Sequence, residues 1–205
     1  MAGITINPAL VTNAAGSFST NTTGYVQGVL LDDPVKRYSL LSGIVSPSAS
    51  SPMWGGVGVT VSLTTAGTEA SEIGAVLTPA TSQANLNGFT VFNQSAAMIQ
   101  SPQSPVPLAP ASGAINYVLL GSDARITVAC SNAVATALAG GAINQAVYWD
   151  YTNQVLLNAP GGTAIPVKVV DVNIGNSQVV TYNSGTGFAT WTRSGSSAST
   201  VVIEI

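Results

Sequence analysis

Between Gly56 and Leu63 the chain alternates strictly, Val57, Val59, Val61 and Leu63 being separated by glycine, threonine and serine. A period of two places those four side chains on one face of a strand, and that face is expected to meet a core. Short runs of the same kind recur along the chain. Tyr25 to Leu31 and Val35 to Val45 read as two strands of a hairpin joined by Asp32-Asp33-Pro34, and Ile115 to Leu120 and Arg125 to Cys130 as two further strands. The C-terminal part breaks into Ala146 to Asp150, Gln154 to Leu157, Val167 to Val172, Gln178 to Tyr182, Gly187 to Trp191 and Thr200 to Ile205, each bounded by Gly, Asn or Ser. One segment has helical character, Asn132 to Leu138, with Gly140-Gly141 to end it.

The intervening stretches are polar or proline-rich. Residues 78 to 88 read as a loop. Ser101 to Gly113 holds Pro102, Pro105, Pro107 and Pro110, which exclude an interior helix or a central strand, so a surface loop is expected there. It is also the natural place for a subdivision of the chain. Residues 1 to 23 carry no charge and few large apolar side chains, which predicts an extended N-terminal arm that packs on a neighbouring subunit. The expected architecture is therefore all-β, a β-sandwich or β-barrel of jelly-roll-like type over residues 24 to 205, with that arm and long loops.

Charge changes the picture most. Of 205 residues only 6% are charged, whereas 46% are hydrophobic, and the net charge is −3. A typical soluble domain carries about a quarter charged residues. So little charge gives copies of the chain little mutual repulsion and suits a protein built for an assembly. Nucleic acid is excluded as a partner by the lack of any basic cluster beyond Lys36-Arg37. Mean hydropathy is +0.39, yet the longest weakly polar stretch, Ala133 to Ile143, is broken by glycine and far shorter than the roughly 20 residues that span a bilayer. No membrane association is expected. Residues 1 to 11 lack the basic and apolar regions of a secretory signal, which predicts assembly in the cytoplasm of the host.

Candidate chemistry is sparse. There is no histidine, which excludes Ser-His-Asp and Cys-His nucleophilic systems and His-ligated zinc. The single cysteine, Cys130, ends an alternating apolar run and reads as a small buried side chain. The carboxylates Asp32, Asp33, Glu69, Glu72, Asp123, Asp150, Asp171 and Glu204 are scattered, and Asp32-Asp33 and Asp123 read as turn residues. A glycosidase needs only two carboxylates that meet in space, so a carboxylate enzyme stays open as a rival. Gly55-Gly56-Val57-Gly58 leads into a strand rather than the helix that a phosphate-binding loop needs. The sequons at Asn21 and Asn93 have no weight without secretion. No catalytic residue, metal ligand or cofactor site is assigned. Trp54, Trp149 and Trp191, with the six tyrosines, fit core or interface packing, or a stacking platform for sugars.

The stretch from Ala142 to Leu156 carries Ala146-Val147-Tyr148-Trp149-Asp150 and then Tyr151-Thr152-Asn153-Gln154-Val155-Leu156. It resembles a segment of tailed-phage structural cement, or capsid decoration, proteins, in which a small residue leads into a Val-Tyr-Trp-Asp strand, a Thr/Asn/Gly turn and a short apolar strand. Gly187 to Trp191 and Thr200 to Ile205 are similar to that family's closing strands. The resemblance covers the last third of the chain, and Val167 to Tyr182 is an insertion relative to it. It implies a β-barrel or sandwich that trimerises on the exterior of the virion head, binds the major capsid protein and has no catalytic residues. Tyr148, Trp149, Tyr151, Trp54 and Trp191 are the candidate interface residues, and Tyr148 is expected on the face opposite Trp149 and Tyr151. A carbohydrate- or receptor-binding tail module is the alternative.

Overall fold

The computed structural model describes residues 24–31, 40–63, 75–92, 99–101, 104–160, 162–193 and 198–205. The predicted arm, the Asp32-Asp33-Pro34 turn, Lys36-Arg37, Glu69, Glu72 and both sequons lie outside them. The fold is all-β, as expected, with one short α-helix among the described residues.

Five strands close a barrel: β1 (Leu41–Val45), β2 (Gly58–Leu63), β3 (Ala75–Pro79), β4 (Gly88–Val91) and, later in the chain, β7 (Ala114–Leu119), in the order β1-β3-β2-β4-β7. The β1–β3 pair is parallel, Ile44 beside Val76, and the other pairs are antiparallel. Closure removes the free edges that an open sheet exposes. Side chains fill so small a barrel: Val45, Val57, Val59, Leu77, Ile115 and Tyr117 form one buried cluster with Met53 and Ala109.

Two strands of the central proline-rich region form a separate hairpin, β5 (Ile99–Ser101) with β6 (Ser104–Leu108). A five-stranded sheet then takes β8 (Arg125–Cys130), β9 (Tyr148–Asp150), β10 (Val155–Leu157), β11 (Lys168–Asn173) and β14 (Ser199–Glu204), in the order β11-β14-β8-β10-β9. A second hairpin joins β12 (Val179–Asn183) to β13 (Phe188–Thr192). The helix α1 spans Asn132–Leu138; the Ser131 hydroxyl caps it by accepting the Val134 N–H at 3.3 Å, and Gly140 follows at φ 76°. Among the described residues no helix is long and apolar enough to cross a membrane.

Barrel and sheet share a second core. Phe89, Val91 and Val118 from the barrel strands pack with Ile126, Val128, Leu156, Val201 and Ile203 of the sheet and with Val134, Ala135 and Leu138 of α1. This explains β4, whose four residues are all buried. Phe89 and Val91 serve the shared core, while the Thr90 hydroxyl takes the Val57 N–H at 2.9 Å and donates to the Trp54 carbonyl at 2.6 Å.

Four expectations are corrected. Tyr25 to Leu31 is no strand. It makes only the isolated bridges Val26 to Gln178 and Leu30 to Ile126, because Gly28, at φ 79°, turns the chain so that its N–H reaches the Thr127 carbonyl and its carbonyl the Phe92 N–H. A Cβ on Gly28 would lie 2.4 Å from Gly55 backbone atoms, so only glycine fits this crossing. The alternating run of β2 faces the core only at its start: Val57 and Val59 are buried, Val61 is half-buried and Leu63 is 87% exposed, since pairing with β4 ends at Val59 and the rest of the strand is paired with β3 alone. Finally, the proline-rich stretch is not a surface loop. Every second N–H of a strand points away from its partner, so prolines two apart are tolerated where only one side is paired. In β6 this leaves Val106 and Leu108 buried against Ala189 of β13. The polar loop at 78 to 88 is shortened by strand at both ends and holds a 3₁₀ turn, Gln83–Asn85.

Candidate functional site

The hairpin β9–β10 lies at the edge of the five-stranded sheet, in the register Val155↔Asp150, Leu156↔Trp149, Leu157↔Tyr148. Its turn is built by Asp150, whose carboxylate accepts the Thr152 and Asn153 N–H groups at 2.9 Å each and the Asn153 side-chain amide at 2.7 Å. Partial burial raises the Asp150 pKa, but the hydrogen bonds from Asn153 and Thr152 together hold it below the ordinary carboxylate value. Asp150 is thereby a structural anion.

Alternation then separates the aromatics. Trp149 is 4% exposed and meets Phe89 edge-on, with centroids 5.0 Å apart and planes at 76°. It is a core residue. Tyr148 and Tyr151 are half-buried, Tyr151 in the turn rather than on the strand. Both tyrosines border a cleft of about 400 Å³ whose other wall is the turn Thr81 to Ala84 and whose rim includes Gly162 and Thr163. Burial pushes the Tyr151 phenol pKa up. Among the described residues its hydroxyl is the buried side-chain polar atom without a hydrogen-bond partner.

Sequence reasoning missed two residues that shape this site. Gln154 is only 8% exposed and sits at φ 56°. Its Oε1 accepts the Gly58 N–H of β2 at 2.9 Å and the Trp149 Nε1–H at 3.1 Å, and its Nε2 donates to the Tyr151 carbonyl at 2.8 Å. It thus ties the hairpin to the barrel. Asn85 fixes the opposite wall: its Oδ1 accepts the Thr81 and Ser82 N–H groups at 3.2 and 3.0 Å, and its Nδ2 donates to the Thr81 hydroxyl at 3.0 Å. Both are polar residues in turns, which a periodicity reading sends to solvent.

Trp54 and Trp191 are brought together elsewhere. Half-buried against Val106, Leu108 and Ala189, they join Tyr182 and Phe92 where the hairpin β12–β13 packs on β6. Trp54 stacks on Tyr182 at 5.3 Å and Trp191 meets Phe92 at 5.7 Å. The five candidate interface residues therefore fall into two groups, one at the cleft and one at the packing of the two hairpins.

Several other titratable groups among the described residues have structural partners. Glu204 accepts Arg125 Nε at 3.1 Å and Lys168 Nζ at 2.8 Å, in register across β8, β14 and β11, and these two hydrogen bonds lower its pKa. Asp171 accepts the Tyr25 hydroxyl. Cys130 is buried and its thiol pKa is pushed up by burial to about 12. No group of three or more metal-ligating side chains occurs among the described residues. No family model, curated protein or solved structure matches the chain.

Proposed function

We propose that this chain is a non-enzymatic capsid cement or decoration protein that binds the major capsid protein on the exterior of a tailed-phage head, as a homotrimer, and stabilises the shell. The observation that carries the reading is the β9–β10 hairpin. The segment that resembles the cement family folds as one unit, with Trp149 rooted in the core and Tyr148 and the Thr152-Asn153 turn left at the sheet edge to meet a neighbour. Two features support it. The chain is nearly uncharged, and it leaves Ile143 61% exposed beside the exposed Val170 of β11, the strand at the opposite edge of the same sheet. Apolar and neutral polar contacts of this kind add binding free energy to a closed shell that free subunits lack.

The mechanism is passive and needs no charge steering. Binding to purified heads is expected to change little from about 0.05 M to about 0.5 M salt, because there is little long-range attraction for ions to screen. Tyr148→Ala is expected to weaken binding while the domain stays folded. Trp149→Ala instead tests folding, since that ring is buried. A steep loss of binding with salt, or full binding by folded Tyr148→Ala, would count against the hairpin as the contact.

A further inference from the structure

The cleft beside the hairpin shares Tyr148 with the proposed shell contact, but the rest of its lining is not used by that contact. None of the side chains that line it is ionised at neutral pH: hydroxyls come from Thr81, Ser82 and Thr163, an amide from Gln83, and aromatic surface from Tyr148 and Tyr151. An ionic ligand would lose its hydration here for no opposite charge. Its volume of about 400 Å³ falls inside the roughly 300–1,000 Å³ of small-molecule sites. Both walls are held before any ligand arrives, one by the Asn85 clamp and the other by Gln154. The Asn85 amide already donates to the Thr81 hydroxyl oxygen, which leaves the Thr81 proton free to be given away. Trp149 offers only ring surface, its N–H being committed to Gln154.

We propose that this cleft binds an uncharged saccharide, with the apolar C–H face of a sugar ring against the tyrosines and its hydroxyls paired with Thr81, Gln83 and Thr163. A sugar presents one apolar face and a rim of groups that both donate and accept, which matches this lining. The Tyr151 hydroxyl itself is shut away from solvent, so Tyr151 meets the cleft with its ring, as a stacking surface requires. The inference goes beyond the cement reading and is tested on the free protein, so either can fail without the other.

The experiment is titration of the full chain with glucose, galactose, N-acetylglucosamine and their short neutral oligomers, followed by calorimetry and ligand-observed NMR. Saturable binding of at least one is expected. Gly162→Trp closes the cleft; a Cβ at Gly162 meets nothing within 4 Å, so the fold accommodates the change, and binding is expected to fall at least about tenfold. Tyr151→Phe keeps the ring and removes only the buried hydroxyl, so affinity is expected within about twofold of wild type and the unfolding midpoint unchanged or raised. Tyr148→Ala, which removes a stacking ring, is expected instead to lower affinity at least about fivefold in the folded protein. Absence of saturable binding by every neutral sugar, binding retained by folded Gly162→Trp, or a preference for an anionic sugar such as a sialic acid would each overturn the proposal.

Discussion

Gln154→Ala is expected to be among the more damaging single changes at a residue that no periodicity marks as core. The substitution removes the acceptor of two buried donors, the Gly58 N–H at 2.9 Å and the Trp149 indole N–H at 3.1 Å, and a donor to the Tyr151 carbonyl at 2.8 Å. Each orphaned buried group costs about 1–3 kcal/mol. Two orphaned donors give a loss of about 2–6 kcal/mol, a large part of the roughly 5–15 kcal/mol that holds a domain folded. For a chain of this size that is a fall of roughly 4–24 °C in Tm. The backbone supplies an internal control. Gln154 sits at φ 56°, where a Cβ is strained, so Gln154→Gly loses the same hydrogen bonds but relieves about 1 kcal/mol. Urea unfolding of the three proteins should rank them wild type, then glycine, then alanine. Alanine within about 0.5 kcal/mol of wild type, or glycine less stable than alanine, would refute the assignment of Gln154 as the strap between barrel and hairpin.

Other outcomes follow from burial and charge. Leu77→Ala, fully buried in the barrel, should cost about 2–5 kcal/mol in denaturant titration, whereas Leu63→Ala, 87% exposed, should fall within about 0.5 kcal/mol of wild type. The Cys130 thiol, held at a pKa of about 12 by burial, should resist a thiol reagent at pH 8 in the native protein and react once the chain is unfolded. Glu204 and Asp150 have folded pKa values below their ordinary ones. Their contribution is present above the unfolded pKa and is lost as the pH falls through the folded one, so stability should decline on the acid side and Glu204→Gln should flatten that decline.

Much of the sheet was legible because its signal is local. Arg125 to Cys130 and Asn132 to Leu138 occupy their predicted ranges, and the C-terminal strands fall within two residues of theirs, since alternation and Gly, Asn or Ser turns bound each one. What was not legible depends on neighbours distant in sequence. Nothing in β2 tells where its pairing with β4 ends, so Leu63 looked as buried as Val59. Gly28 reads as an interruption of a strand until Gly55 is known to pass against it. Prolines 105 and 107 excluded a central strand correctly, but a hairpin paired on one side tolerates them. At the site, the alternation of half-buried Tyr148 and buried Trp149 follows the strand period. Tyr151, expected on the face of Trp149 and away from Tyr148, instead lies in the turn and borders the same cleft as Tyr148. That cleft needed the turn Thr81 to Ala84, some 65 residues away in sequence, to supply its other wall.

Cryo-electron microscopy of tailed-phage heads incubated with the purified chain tests the capsid-binding proposal. Density is expected on the outside of the shell, at the seams between capsid subunits, in trimers into which the closed barrel and its neighbouring five-stranded sheet fit as one unit, with the β9–β10 hairpin at a contact. Shells without such density, or density confined to the tail, would contradict it.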